Sequence, residues 1–332
     1  MEQRLSRIEE GAGGVLAGID IGGTKTAIVL SAEPPAILRR VEFPTLPEQG
    51  PERVIELIRK HFRDFLCARE MKQLQLRSIG VSCGSPLDRI SGVIQAPPNL
   101  PTWKDVAITS ILSQEFGVVC RLENDANAGA MAEYRFGAGR GTQHMVFITM
   151  GTGFGAGIIA DGRLYHGASD SAGEIGHVRL TPDGPVGYHK AGSVEGWVSG
   201  GGIAQVGMRE VAAAIHRGEP TVLSLYRENE GKITARQIAL AAQQGDALAK
   251  RIIHETGTRL GQILAILADI LNPERIVIGG LAMRLGEMLL FPARAAMEGE
   301  ALPASYRSCT VVPAALGEQI GDIAAICVAM GF

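Results

Sequence analysis

The chain has little with which to grip a nucleic acid or a membrane surface. Its 332 residues carry 32 Lys and Arg against 35 Asp and Glu, a net charge of −3, and no Lys/Arg block. No apolar run approaches the ~18–20 uninterrupted residues needed to cross a bilayer. The opening residues, MEQRLSRIEEGAGG, mix acids and bases around no apolar centre, so no secretory signal is expected there. Cysteine is sparse: Cys67, Cys83, Cys120, Cys309 and Cys327 are odd in number, widely spaced and without a C-x-x-C pair. That pattern excludes a disulfide framework and argues for a reducing compartment. Together these absences predict a cytoplasmic protein that binds neither nucleic acid nor membrane.

Low-complexity linkers are missing too, and composition does not shift abruptly anywhere along the chain. At 46% hydrophobic and 20% charged, this is an ordinary globular composition. The length is too great for one simple core and suits two domains.

Residues 15–20 (VLAGID) form a short apolar run that ends in I-G-G-T, after which residues 25–30 read as a second strand. Residues 51–66 place Val54, Leu57, Ile58, Phe62 and Phe65 on one helical face behind Pro51. A second strand, Gly/Thr turn and strand follows from Met145 (VFITMGTGFGAGIIADG), echoing the first hairpin and predicting a duplicated α/β unit. Beyond residue 200 the period becomes helical, over 203–216, 234–244 and 247–271, the last stopped by Asn272-Pro273. Residues 274–280 return to a buried strand, and 317–330 read as an apolar helix.

The D-I-G-G-T-K segment is the first chemical motif. Gly22 and Gly23 let backbone N–H groups approach phosphate oxygens. Thr24 adds a hydroxyl, Lys25 a cation, and Asp20 a carboxylate for Mg²⁺ or its waters. Taken alone it is also an ordinary two-glycine turn. It is not a P-loop, because Thr stands at position 24 where that motif needs Lys, and a strand follows where a helix should. Gly151, Gly153 and Ala156 in G-T-G-F-G-A-G satisfy a loose dinucleotide fingerprint. That fingerprint must open a helix, whereas this segment continues as a strand. A phosphate-cradling hairpin that uses Gly151, Thr152 and Gly153 is the better account. Asp125, in E-N-D-A-N, falls at a strand-to-helix junction where ligands of α/β sheets usually bind. For an isolated N-D pair, capping the next helix is the simpler role. G-E-I-G-H (Glu174, His177) and S-V-E (Glu195) offer polar groups in small-residue surroundings that can hold sugar hydroxyls.

In wording and order these motifs resemble the ROK family of bacterial sugar kinases and repressors, within the actin-like ATPase superfamily. The resemblance implies an α/β fold of two actin-like (ribonuclease H-like) domains with an interdomain active-site cleft. It divides the chain into 1–125 plus 315–332 and 126–314. It further implies ATP-dependent phosphorylation of a hexose or N-acetylhexosamine, with Mg-ATP as cofactor and a homodimer as the assembly. Asp125 inherits the role of catalytic base. Gly84, Asn99, Asn124, Glu174, His177 and Glu195 match sugar-side positions. Asp20, Gly22, Gly23, Thr24, Lys25, Gly151, Thr152, Gly153, Gly279 and Gly280 match the ATP side, helped by the G200-G-G-I stretch.

The family's repressors carry a helix-turn-helix domain ahead of the first phosphate motif. Only fourteen residues precede Val15 here, so a sugar-responsive regulator is the less favoured reading. An actin-like ATPase that uses no sugar would not require the Glu174, His177 and Glu195 set. The chain also departs from the family at a zinc motif, C-x-C-G-x-x-G-C, whose cysteine positions fall on Val186, Tyr188 and Ser193. No zinc site is expected.

Overall fold

The computed structural model describes residues 14–67 and 74–331; the opening segment read above for a secretory signal lies outside them. Strands β1 (Gly14–Ile21) and β2 (Lys25–Ser31) are almost wholly buried and pair antiparallel across the Gly22–Gly23 turn, from Ile21↔Thr26 to Leu16↔Ser31. β3 (Arg39–Pro44) extends the sheet antiparallel to β2. Helix α1 (Pro51–Cys67) starts on Pro51, whose missing N–H would have no partner there anyway, and buries Val54, Ile55, Ile58 and Phe62. β4 (Gln75–Cys83) then joins parallel to β1. Short strands β5 (Leu87–Asp88) and β6 (Val93–Ile94), and helix α2 (Ile108–Phe116), lead to β7 (Val119–Asn124), parallel to β4. The sheet order is β3-β2-β1-β4-β7. Helix α3 (Asp125–Phe136) follows directly.

The second sheet repeats this plan. β8 (Met145–Met150), β9 (Phe154–Ala160) and β10 (Arg163–Tyr165) pair antiparallel in succession. A small hairpin of β11 (Val186–Gly187) and β12 (Lys190–Ala191) comes next. It is followed by α4 (Val194–Val198), α5 (Gly200–His216), α6 (Leu223–Glu230), α7 (Ala235–Gln243) and α8 (Ala247–Leu271). β13 (Arg275–Ile278) joins parallel to β8. Helices α9 (Leu281–Leu285), α10 (Glu287–Glu300) and α11 (Pro303–Ser308) precede β14 (Thr310–Pro313), parallel to β13. The order β10-β9-β8-β13-β14, with its two antiparallel and two parallel pairings, has the same topology as the first sheet. Two units on this plan make the doubled ribonuclease H-like architecture of actin-like proteins.

Each unit has its own apolar core, with Trp103 and Phe62 the largest fully buried side chains of the first. The chain returns to that first core at its end. α12 (Ile320–Met330) packs on β1, β4 and α3. The approach is close enough that a Cβ at Gly80 would lie 2.2 Å from the Ala329 nitrogen and one at Gly18 2.9 Å from Ala325. Only glycine at these two strand positions lets the helix seat. The first unit therefore comprises the residues up to Phe136 and from Glu318, and the second Gly137–Gly317. The division expected after residues 125 and 314 lies close to these bounds. α3 is held by α12, so it travels with the first unit although it begins at the expected boundary. Among the described residues no helix is long and apolar enough to cross a membrane.

Candidate active site

In the first unit β1 delivers Asp20 to the edge of its turn, where Gly22 N–H donates to the Lys25 carbonyl at 3.0 Å. The turn is braced from β3's end: Thr45 Oγ1 donates to the Gly22 carbonyl at 2.7 Å, and Thr26 and Thr45 share a buried hydroxyl contact at 2.9 Å. Thr24 and Lys25 stay exposed. Burial, then the charges of Asp125 and Asp322, push the Asp20 carboxyl up to about 7; Lys25 and the Ser82 hydroxyl oppose them. Asp322 is itself paired: Arg40 Nε donates to it at 2.7 Å, and Arg40 Nη2 reaches Glu42 at 2.6 Å. Lys25 Nζ also bonds Glu42, at 2.9 Å, so the motif's lysine is engaged by a neighbouring carboxylate.

Four carboxylates against two cations leave this corner electron-rich, a donor set that fits a divalent cation. Among the described residues no three His, Cys, Asp or Glu side chains converge to enclose a metal by themselves. An ion held here would take most of its ligands from phosphate and water, which is the usual way Mg²⁺ is bound.

The E-N-D-A-N junction divides its labour between neighbours. Asn124 Oδ1 accepts from the Ala126 N–H at 2.9 Å and the Asn127 N–H at 3.3 Å, which caps α3. Its Nδ2 donates to Ser85 Oγ at 2.8 Å, beside Gly84. The Asn124 amide is thus used at both ends. Asp125 needs no capping role. It remains exposed, its carboxylate accepting the adjacent Ala126 N–H at 2.8 Å. Its carboxyl is open to solvent yet ringed by protein, which desolvates it and lifts its pKa against the lowering pull of that N–H. Asn99 is exposed next to both the phosphate turn and Gly84: a Cβ at Gly23 would meet it at 2.8 Å, and one at Gly84 at 3.4 Å. Asp20, Gly22, Gly23, Gly84 and Asn99 therefore share one region of the first unit with Asp125.

The second unit carries the other set. β8 and β9 are joined by Gly151, Thr152 and Gly153, closed by the Gly151 N–H on the Gly153 carbonyl at 3.0 Å. Gly200 N–H donates to the Gly151 carbonyl at 2.8 Å, which docks the N-terminus of α5 against the turn. Positive helix-end potential beside a glycine turn suits phosphate. A cavity of about 460 Å³ opens there, lined by Gly151, Thr152, Gly200, Gly201, Thr234, Arg236, Gly280 and Arg284. Gly280 has φ +69° and presses on the Met150 carbonyl, where a Cβ would lie at 2.1 Å, so that wall of the cavity requires glycine. Gly279 is buried beneath, its N–H on the Ile148 carbonyl at 2.8 Å.

Glu174 precedes a 3₁₀ turn (Ile175–His177) that His177 ends, both side chains exposed, and Glu195 is half-buried in the first turn of α4. The residues at the family's zinc positions do not fit a metal. Val186 is exposed, Tyr188 turns its ring edge to His177 at 5.8 Å between centroids, and Ser193 Oγ accepts the Gly196 N–H at 3.1 Å as the cap of α4. Protein bonds hold this loop instead. Gln205 clasps both backbone groups of Val186, at 2.9 and 2.8 Å. Arg179 Nη1 bonds the Ala191 carbonyl at 2.7 Å and Lys190 Nζ the His177 carbonyl at 2.7 Å. Trp197 donates to Thr181 at 2.7 Å and packs under the Arg259 guanidinium at 4.6 Å. Tyr188 and His189 both have positive φ, as the two central residues of a tight hairpin require.

Sequence reasoning missed Asp322, Arg40, Gln205, Arg236 and Arg284. Asp322 alone carried a signal, as the one carboxylate in the apolar run I-G-D-I-A-A-I-C-V-A-M.

The chain is similar to known proteins over most of its length. A glucokinase of Thermotoga maritima is 34% identical over 311 residues, spanning 93% of this chain and 95% of its own. A crystal structure of a ROK family glucokinase from Streptomyces griseus, in complex with glucose and AMPPNP, superposes with a TM-score of 0.79 at 30% identity, over 96% of this chain and all of that one. The DNA-binding transcriptional repressor Mlc of Escherichia coli is 29% identical over 262 residues, 78% of this chain and 62% of its own. The ROK family profile matches residues 16–330, from the first strand to the last helix and through both glycine-rich hairpins, and the chain belongs to that family.

Proposed function

We propose that this protein transfers the γ-phosphoryl group of Mg-ATP to a hydroxyl of a hexose or N-acetylhexosamine. The observation that carries the reading is the division at the E-N-D-A-N junction: Asn124 caps the helix, so Asp125 is left exposed beside the electron-rich corner around Asp20. Asp125 takes the proton of the attacking sugar hydroxyl. The sugar oxygen forms the new bond to phosphorus as the bond to ADP breaks, giving sugar phosphate, ADP and the proton. Mg²⁺, when bound, neutralises charge on the phosphates; Asp20 is the carboxylate that would hold it, directly or through water. The Gly151–Gly153 turn and the α5 N-terminus orient the phosphates, and the adjoining cavity takes the nucleoside. Glu174, His177 and Glu195 bind the sugar.

The likeness to two glucokinases makes glucose the first candidate acceptor. A coupled ADP-release assay over hexoses and N-acetylhexosamines tests the reading, with sugar-stimulated turnover expected for at least one. A weak ATPase activity that no sugar stimulates would favour an actin-like ATPase instead, and nucleotide or sugar binding without turnover a regulator. Within this reading Glu174→Ala is expected to raise the sugar KM by about tenfold or more and leave the ATP KM little changed, because sugar hydroxyls lose a charged acceptor. Thr152→Val should act chiefly on the ATP KM. Equal defects toward ATP in both variants would sink this assignment of roles. The enzyme is further read as a cytoplasmic homodimer.

The same reading includes no zinc. Ser193, Gln205, Arg179 and Lys190 already hold the loop at the family's ligand positions. Purified protein is expected to contain far less than one zinc per chain, and to regain full activity after prolonged chelation once Mg²⁺ alone is restored. Near-stoichiometric zinc, or a loss that only zinc repairs, would overturn this.

A further inference from the structure

The segments assigned to sugar and the turn assigned to phosphate are fastened together inside the second unit. The G-E-I-G-H segment lies directly on β9. Ala156 N–H donates to the Gly173 carbonyl at 3.0 Å, and a Cβ at Gly176 would lie 2.2 Å from the Phe154 carbonyl oxygen. Such approaches leave no room for sliding, so the segment and the strand move as one body. Glu195 sits where they meet. Its Oε2 accepts the N–H of Phe154, the first residue of β9, at 3.1 Å, and lies 3.0 Å from where a Cβ of Gly153 would stand. From the other side, Gly187 faces it so closely that a Cβ there would come within 2.8 Å of the Glu195 Cβ. Phe154 is buried, whereas Thr152 and Gly153 just before it are exposed. The bond from Glu195 is therefore at the root of the turn, where it fixes the direction in which the exposed N–H groups point.

From this geometry we propose that Glu195 is a positioning residue for the nucleotide as well as a sugar ligand, and that its bond to Phe154 couples sugar recognition to the phosphate turn. The coupling rests on the sugar-kinase reading; the hold on the turn does not. A sugar hydroxyl donating to the Glu195 carboxylate restrains it. A restrained carboxylate restrains the turn, so sugar and nucleotide each tighten the binding of the other by the same factor.

The experiment is titration of Mg-AMPPNP by calorimetry, without sugar and with saturating glucose, into the wild type, Glu195→Ala, Glu195→Gln and Glu174→Ala. Without sugar, Glu195→Ala is expected to weaken Mg-AMPPNP binding by about tenfold or more, the worth of one charge-assisted hydrogen bond. Glu195→Gln keeps an amide oxygen for the Phe154 N–H. It should stay within about twofold of the wild type for Mg-AMPPNP while losing affinity for glucose. Glu174→Ala should leave Mg-AMPPNP binding without sugar unchanged. Glucose should tighten Mg-AMPPNP on the wild type by about fivefold or more and have no effect on Glu195→Ala. Wild-type Mg-AMPPNP affinity in Glu195→Ala without sugar would overturn the proposal, as would equal losses in Glu195→Gln and Glu195→Ala. If glucose fails to bind the wild type, the choice of sugar is what fails, and the sugar-free titrations still decide whether Glu195 holds the turn.

Discussion

Replacing Asp125 with asparagine is expected to lower kcat by about 10²–10⁴-fold while keeping the fold and much of the sugar affinity. Asparagine is isosteric and can still accept the Ala126 N–H through its side-chain oxygen, but it cannot take a proton from a hydroxyl. Helix α3 should not suffer, because the capping bonds to Ala126 and Asn127 come from Asn124. The thermal midpoint is therefore not expected to fall, and at neutral pH it should rise slightly, because asparagine escapes the desolvation that lifts the Asp125 carboxyl. Steady-state kinetics with the acceptor sugar identified, together with a thermal melt, check both halves. Turnover at the wild-type rate would reduce Asp125 to the first residue of a helix.

Asp20→Asn is expected to move activity and stability in opposite directions. Activity should fall by about 10²-fold or more in kcat/KM for ATP, the scale of losing one preorganised electrostatic contact to the reacting phosphates. Stability should rise. The Asp20 carboxyl is pushed from 3.8 up to about 7 by burial and by Asp125 and Asp322, so between those pH values the folded chain binds a proton that the unfolded chain releases. Stability therefore falls as pH rises through that window and levels off above about 7, where both states are ionised. A neutral side chain escapes the penalty. In the metal-free protein the variant should be more stable by on the order of 1–3 kcal/mol at pH 8, after allowing for solvent that reaches the group. That corresponds to a few degrees in Tm. The gap should narrow as pH is lowered toward 5. Melts of the two proteins without Mg²⁺ at several pH values test this, and a variant less stable than the wild type at pH 8 would show that Asp20 is held by contacts more favourable than its neighbours' charges suggest.

Elements with a strong internal pattern are legible from the sequence, and elements that depend on distant partners are not. Helix α8 is readable to its last residue, since its 3.6-residue period runs unbroken until Asn272 caps it in the left-handed region ahead of Pro273. Both glycine-rich hairpins are readable because apolar strands flank a turn of small residues. β3 is not read, because its pattern of Arg-Arg-Val-Glu-Phe-Pro leaves only Phe43 buried at a sheet edge. The edge strand β14 (Thr-Val-Val-Pro) likewise buries Val311 alone. At the site, motif wording suggests Asp20, Asp125 and the turn glycines. It says nothing of the bond between Arg40 and Asp322, 282 residues apart, or of the one between Phe154 and Glu195. Those pairings are products of the fold, and a local pattern holds no trace of them.

The return of α12 to the first sheet also sets a timetable. Everything the first unit needs, apart from that helix, leaves the ribosome before residue 137, yet the face shaped by Gly18 and Gly80 stays uncovered until Ile320–Met330 has been made. Residues 137–317 lie in between, and at about 5–20 residues per second their synthesis takes roughly 10–40 s. Over that interval the contiguous second unit can reach its final form. The half of the protein that is begun first is thus the half that is finished last, with a stripe of apolar strand exposed to every other hydrophobic surface in the cell while it waits.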